Sequence, residues 1–280
     1  MKTALITGAN VGIGLATAKA LARRGFNLIL VCRNEKKGKE AMAIVKQINP
    51  AITVELLLAD LTDLGSVRRV AQQVNRTHQK LDVLINNAGY SPDTIEFIDN
   101  IEKSFFANHI GPFVLTYHLM DLLKATGEAR IINLSSAAYA LGSASRFFKR
   151  NENLAVLSAY GDGKLANLLF TRELANRYAE AGITAYAVHP GVVNSGFGTN
   201  FTGALGFMMN LARPFMRSPE RGAETSVYLA TAPIAVLQKK DGQSGGSGGF
   251  FADSKPKSIR HGDNTNKQAA ELWAKSLAFV

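Results

Sequence analysis

Short runs of aliphatic and β-branched residues alternate with longer stretches of helical periodicity along this chain. The apolar runs at 3–7, 27–32, 53–58, 83–86, 130–134, 184–189 and 249–251 predict seven strands. Some are almost continuously hydrophobic, as in Leu28-Ile29-Leu30-Val31, which is the pattern of strands covered on both faces of a parallel sheet. Amphipathic patterns between them predict helices over 12–24, 35–49, 63–79, 101–124, 155–180, 219–231 and 266–277. Ser218-Pro219-Glu220 reads as an N-cap, a proline at the first helical position and a carboxylate in the first turn. Strand–helix alternation of this kind predicts an α/β fold: one doubly wound domain over 1–280, with helices on both faces of a mostly parallel sheet. There are no repeats. The Gly- and Ser-rich stretch 242–249 has the composition of a linker, but only 31 residues follow it, so it reads as a mobile loop before the last strand.

Composition sharpens this picture. Hydrophobic residues make up 46% of the 280 and charged residues 19%, which argues for a folded globular chain. No apolar run reaches the length of a membrane span. Met1-Lys2 leads directly into the first strand pattern, so no secretory signal is expected. The single cysteine, Cys32, excludes an internal disulfide, so a reducing, cytoplasmic location is expected. A net charge of +10 admits nucleic acid, anionic lipid or a phosphorylated ligand as partner. The short clusters Arg23-Arg24, Lys36-Lys37-Gly38-Lys39 and Arg68-Arg69 read as solvated helix faces, and nucleic-acid binding is not expected. His78, His109, His118, His189 and His261 are dispersed without cysteine partners, so no metal site is expected; His109 reads as a structural histidine.

The chemistry begins after the first strand, at Thr7-Gly8-Ala9-Asn10-Val11-Gly12-Ile13-Gly14. Glycines there let the backbone turn tightly and approach a pyrophosphate, and the helix that follows offers free N–H groups to that anion. This is the arrangement of a Rossmann-type dinucleotide site. The second strand ends in Val31-Cys32-Arg33-Asn34. An acidic residue there would hold the ribose hydroxyls of NAD; Arg33 instead offers a planar cation suited to a 2′-phosphate. NADP(H) is therefore expected in preference to NAD(H).

Further motifs then accumulate in order: Asp60-Leu61, Asn86-Asn87-Ala88-Gly89, Asn108, Ser136, Tyr160-Gly161-Asp162-Gly163-Lys164 and Pro190-Gly191 with Val193. With them the chain resembles the short-chain dehydrogenase/reductase family over essentially its whole length, and within it the retinol dehydrogenase-like branch. The resemblance implies a catalytic tetrad of Asn108, Ser136, Tyr160 and Lys164. It implies cofactor contacts at Gly8, Asn10, Gly12, Ile13, Gly14, Arg33, Asp60, Leu61, Asn87, Ala88, Gly89, Tyr160, Lys164, Pro190, Gly191, Val193 and Ser195, where Ser195 stands in place of the usual threonine. A homodimer or homotetramer is implied in the same way. Features closer to the branch are the Leu165-Ala166-Asn167 that follows Lys164, the extended stretch between Ser136 and Tyr160, and the ending around Leu272-Trp273.

These residue types suit the reaction. Interconverting a carbonyl and an alcohol needs a hydride, which a nicotinamide supplies, and a proton from a positioned acid. A free tyrosine has a pKa near 10. An ammonium about 4 Å away contributes roughly 4 kcal/mol at an effective dielectric of about 20, enough to lower that pKa by roughly 3 units. Tyr160 and Lys164 are four apart and share a helix face, so Lys164 is expected to act in this way. Ser136 at a strand end can bond the substrate oxygen, although Ser135 is adjacent. Pro112 cannot bond the carbonyl of Asn108 four residues earlier, which frees that carbonyl to hold a water in a proton relay through Lys164; the bland alternative is a kink without function.

The substrate side is apolar. The segment at about 194–217 is rich in Gly, Phe and Met, which implies an apolar, adaptable pocket; the resemblance makes this region a substrate lid and implies a small lipophilic substrate such as a retinal-like aldehyde, a steroid or another hydrophobic aldehyde or ketone. Arg146-Phe147-Phe148-Lys149-Arg150 suits a peripheral membrane contact, a pocket rim or a dimer contact. Two rival classes remain: an NADP(H)-binding regulator without turnover, and a basic surface-binding protein stabilised by the cofactor. An intact tetrad argues against the first.

Overall fold

The computed structural model describes residues 1–91, 93–193, 216–237 and 246–280. Its first half winds in one direction and its second half in the other. Strands β1 (Thr3–Thr7), β2 (Asn27–Cys32) and β3 (Val54–Leu58) alternate with helices α1 (Gly12–Ala22), α2 (Glu35–Ile48) and α3 (Leu64–Thr77). Next come β4 (Val83–Asn86), a small hairpin of β5 (Phe97–Ile98) and β6 (Ile101–Glu102), and a broken helix: α4 (Lys103–Phe105), a π turn (Phe106–Ile110), α5 (Gly111–His118) and α6 (Met120–Lys124). After β7 (Arg130–Leu134) lie two 3-10 turns (Ala137–Leu141 and Ala144–Arg146), then α7 (Val156–Tyr178) and β8 (Thr184–His189). The chain ends with α8 (Pro219–Thr231), α9 (Ile234–Leu237), β9 (Phe250–Ala252), β10 (Lys255–Lys257) and α10 (Asn266–Ser276).

The sheet runs β10-β9-β8-β7-β4-β1-β2-β3. Among the described residues it therefore has eight strands, one more than the sequence predicts, and seven of them are parallel. The extra strand, β10, pairs antiparallel with β9 through Lys255↔Ala252 and Lys257↔Phe250. Its Lys-Pro-Lys sequence carries no apolar signal; the tight turn at Asp253 and Ser254, both at positive φ, folds it back onto β9. The strand order reverses between β1 and β4, where Leu5 lies beside both Ile29 and Leu84. A crevice opens there, beyond the carboxyl ends of the strands.

Alternation within each strand fills two cores. Leu5, Ile29 and Leu84 face α3, α5, α7 and α10 on one side, while Ala4, Ile6, Leu28 and Ile85 face α1, α2 and α8 on the other. Both faces are covered, which explains the continuous hydrophobic runs. The single helix expected over 101–124 is interrupted. Glu102 ends β6 and caps the next turn by accepting from the Phe105 N–H. Pro112 then removes an α-helical donor, and the chain widens into the π turn, closed by Gly111 N–H donating to Phe106 O. Ser218 caps α8 as expected.

The basic aromatic stretch 146–150 is turned inward. Phe147 is buried against Phe105, Phe148 packs on Phe105 and Phe279, and Arg150 covers the Phe97 ring. Phe147 thus serves the core and Phe148 is half-buried, while Lys149 and Arg150 are exposed. Among the described residues, no helix is long and apolar enough to cross a membrane. The expected lid, about 194–217, and Ser195 fall outside the described residues except at its final positions, and so does the start of the Gly- and Ser-rich stretch.

Candidate active site

The glycine turn is built by contact. Gly8 and Gly12 have φ of +65° and +55°. A Cβ at Gly14 would lie 2.1 Å from the Gly8 carbonyl oxygen, so only glycine lets α1 start so close to β1. Val11, the N-cap of α1, makes no side-chain cap bond, which leaves the first-turn N–H groups to an external anion. The Asn87 turn is stitched to this one: Thr7 Oγ1 accepts from the N–H groups of Asn87 and Ala88 at 3.0 Å each, and Asn87 Nδ2 donates to Thr7 O at 2.8 Å. Asn86 points into the sheet, where it bonds Thr116 and Asn133.

A cleft of about 690 Å³ follows the switch point. It is lined by Gly8, Asn10, Gly12, Ile13, Gly14, Arg33, Asp60, Leu61, Asn87, Ala88, Gly89, Ser136, Tyr160, Lys164, Pro190, Gly191 and Val193, so the structure brings together every expected site residue except two. Asn108 sits fully buried behind the cleft, and Ser195 lies outside the described residues.

The cleft also holds residues that no sequence motif marks. Asn34 and Lys37 join Arg33 at the start of α2, where Asn34 accepts from the Lys37 N–H at 2.9 Å. In sequence Lys37 falls in a cluster that reads as a solvated face; its place in the first turn after the second strand is the signal that points to the cleft. Tyr90, Lys103 and Ala107 also line the cleft, and only the fold brings them there. Arg33 stands 3.6 Å from Asp60, whose carboxyl is held below its usual range; Thr62, which donates twice to it, and Arg33 together outweigh the effect of its burial.

Helix α7 places Tyr160 and Lys164 on one face. Lys164 is buried and donates to Asn108 Oδ1 at 3.3 Å and Leu134 O at 3.1 Å, with its Nζ 5.3 Å from the centre of the Tyr160 ring. Asn108 is held by its own side chain: Nδ2 donates to Tyr90 O at 2.6 Å and Ser104 O at 2.8 Å, and Oδ1 accepts from the Tyr90 N–H at 3.1 Å. Ser136 hydrogen-bonds Tyr160, whereas the Ser135 hydroxyl is committed to Lys164 O at 2.8 Å. Geometry thus separates the two adjacent serines.

The electrostatics differ from the expectation. Burial pushes the Tyr160 phenol up from its ordinary value, and the Ser136 bond only partly offsets this. Burial also draws Lys164 down to about 8. Spacing alone puts the two side chains on one face, but it does not show the burial that raises the phenol. His109 is a structural group, as expected, bonded to Ser276 Oγ at 2.8 Å. Among the described residues no cluster of His, Cys, Asp or Glu could hold a metal ion.

Comparison with known proteins follows the same lines. A family model described as short chain dehydrogenase matches residues 2–206. The chain is 40% identical to retinol dehydrogenase 12 of Mus musculus, over 100% of this chain and 86% of that one. It is 37% identical to dehydrogenase/reductase SDR family member 13 of Homo sapiens, over 98% and 72%. In fold it is similar to L-sorbose reductase from Gluconobacter frateurii, solved with NADPH and L-sorbose, at a TM-score of 0.68 and 22% identity, covering 90% of this chain and 94% of that one.

Proposed function

Because this chain belongs to the short chain dehydrogenase family and is an oxidoreductase, we propose that it interconverts a carbonyl and an alcohol on a small lipophilic substrate with NADP(H), using Tyr160 as proton donor and acceptor. The observation that carries this reading is one cleft with two chemistries. Ser136 and Tyr160 meet after β7, and Arg33, Asn34 and Lys37 stand after β2, with β4 and β1 between them. A uniformly apolar pocket would not need that second cluster.

The residues present fit a dinucleotide. The uncapped start of α1 and the contact that only Gly14 allows form a cradle for a pyrophosphate. Arg33 and Lys37 offer two cations to a 2′-phosphate, which supports NADP(H) over NAD(H). When bound, the cofactor supplies or accepts the hydride. Tyr160, with its pKa raised, stays protonated at neutral pH and is poised to give its proton to a reduced carbonyl oxygen. Ser136 would bond that oxygen while charge develops on it. Lys164, near pKa 8, can pass a proton at close to neutral pH. Asn108 fixes Lys164 through its side chain, and its main-chain carbonyl, left without a donor from Pro112, would hold the next proton carrier. The relatives named retinol dehydrogenase support a lipophilic aldehyde or alcohol as substrate.

The test is consumption of NADPH and NADH by the purified protein with a panel of lipophilic aldehydes and ketones, repeated with Tyr160→Phe. The expected result is a lower KM for NADPH than for NADH. In the variant, kcat should fall by about 100-fold or more while NADPH still binds. A lower KM for NADH would overturn the cofactor assignment. Equal turnover by Tyr160→Phe would overturn the role of the phenol, and NADPH binding with no turnover across the panel would favour a regulator.

A further inference from the structure

We propose that Asp162 and Arg146 are positioning residues, forming a clasp on the back of α7 that sets the approach of Ser136 to Tyr160. This rests on the reading of those two residues as the proton-handling pair. Asp162 lies between Tyr160 and Lys164 in sequence but away from the cleft, beside a separate small cavity that Arg146 also lines. Its side chain is 5% exposed. Oδ1 accepts from the Ser143 N–H at 2.7 Å and from Arg146 Nη2 at 2.6 Å; Oδ2 accepts from Arg146 Nε at 2.9 Å. Arg146 Nη2 also donates to Leu141 O at 2.7 Å. The segment leaving Ser136 is thus drawn onto the helix by a two-pronged, largely buried ion pair.

Two glycines make the contact intimate. A Cβ on Gly161 would come within 2.8 Å of Ala138 O, and one on Gly142 within 2.6 Å of Gly161 O. Backbone therefore rests on backbone one residue from Tyr160 and two residues from Ser136. The C-terminal region closes the clasp from outside: Asp263 accepts from the Ala144 N–H at 2.8 Å, and His261 Nε2 lies 3.1 Å from Gly142 O. The other charged groups facing the pair are Glu102 and Lys149, across the small cavity. Burial and Asp263 push the Asp162 carboxyl up, while Arg146 and Ser143 hold it down.

A clasp that is only structural would affect stability. One that positions Ser136 must also move Tyr160, because the Ser136 bond lowers the phenol pKa. Asp162→Asn and Arg146→Gln remove opposite charges. Acting through charge alone, the first would lower the kinetic pKa of Tyr160 and the second would raise it. Acting through position, both weaken the Ser136 contact and both raise it. The experiment is the pH profile of kcat for both variants, with NADPH affinity by fluorescence titration and hydrogen exchange over 137–146. We expect kcat to fall about tenfold or more in each, NADPH affinity to change less than about twofold, the Tyr160 limb to move up in both, and exchange over 137–146 to quicken. Arg146→Lys should recover part of the loss, and it provides the comparison with Arg146→Gln should Asp162→Asn not fold. Opposite shifts of the limb, unchanged kcat, or unchanged exchange would overturn the proposal. Absence of wild-type turnover would instead remove the functional reading, and exchange would still decide whether the clasp exists.

Discussion

His109 shows what a single side chain contributes without touching the cleft. It is fully buried among Phe105, Phe113 and Phe170, and its Nδ1 finds no hydrogen-bond partner among the described residues. Burial pulls its pKa down to about 3. The unfolded chain therefore takes up a proton at this position first, and between about pH 6.5 and 3 the folded state loses stability as pH falls, by about 1.4 kcal/mol per pH unit. His109→Phe should flatten that loss, so the drop in Tm between pH 7 and pH 5 should be smaller than in the wild type; an equal drop would count against it. Residue types in order were legible in the sequence: Ser136, Tyr160, Lys164 and Asn108 all came together. Their environment was not legible. The raised Tyr160 phenol reflects desolvation, and Lys37 at the cleft reflects the direction in which α2 leaves the sheet.

At the scale of elements, the turn between β1 and α1 is the most constrained joint. Gly14 does not need a positive φ; it needs the space, since a Cβ there would also lie 2.5 Å from Asn87 Nδ2. Gly14→Ala should push α1 away from β1 and break the bond between the two turns. We expect NADPH affinity to weaken by about tenfold or more and Tm to fall, read by fluorescence titration and thermal melting; wild-type affinity would contradict this. Elements with strong periodicity were legible, because strands covered on both faces must be apolar throughout. Those set by turns were not. β10 contains no aliphatic residue, and the β5–β6 hairpin depends on Asp99 and Asn100 adopting positive φ. The break in the helix over 101–124 needed Glu102 to be read as a cap. The partner of Asp162 lies sixteen positions away across an irregular loop, beyond any helical spacing.

At the scale of the molecule, α10 ties the end of the chain to the helices behind the site. Trp273 packs edge-on to Phe113 at 5.0 Å, lies 6.0 Å from Phe170 and is covered by Arg177 at 4.8 Å. Trp273→Ala should cost roughly 3–5 kcal/mol, seen as a lower urea midpoint. NADPH affinity should stay within about twofold, because the cleft opens beyond the strand ends and α10 lies on a helical face; loss of cofactor binding in a folded variant would show that this face and the site are coupled. The strand at the sheet's margin has a different kind of consequence. Both lysines of β10 are exposed, and Pro256 offers no N–H. Another chain arriving at that margin would meet charge and a missing donor, which disfavours growth of the sheet there by strands from a neighbour. Self-association along this margin is thereby discouraged, which guards the concentrated protein against edge-to-edge aggregation.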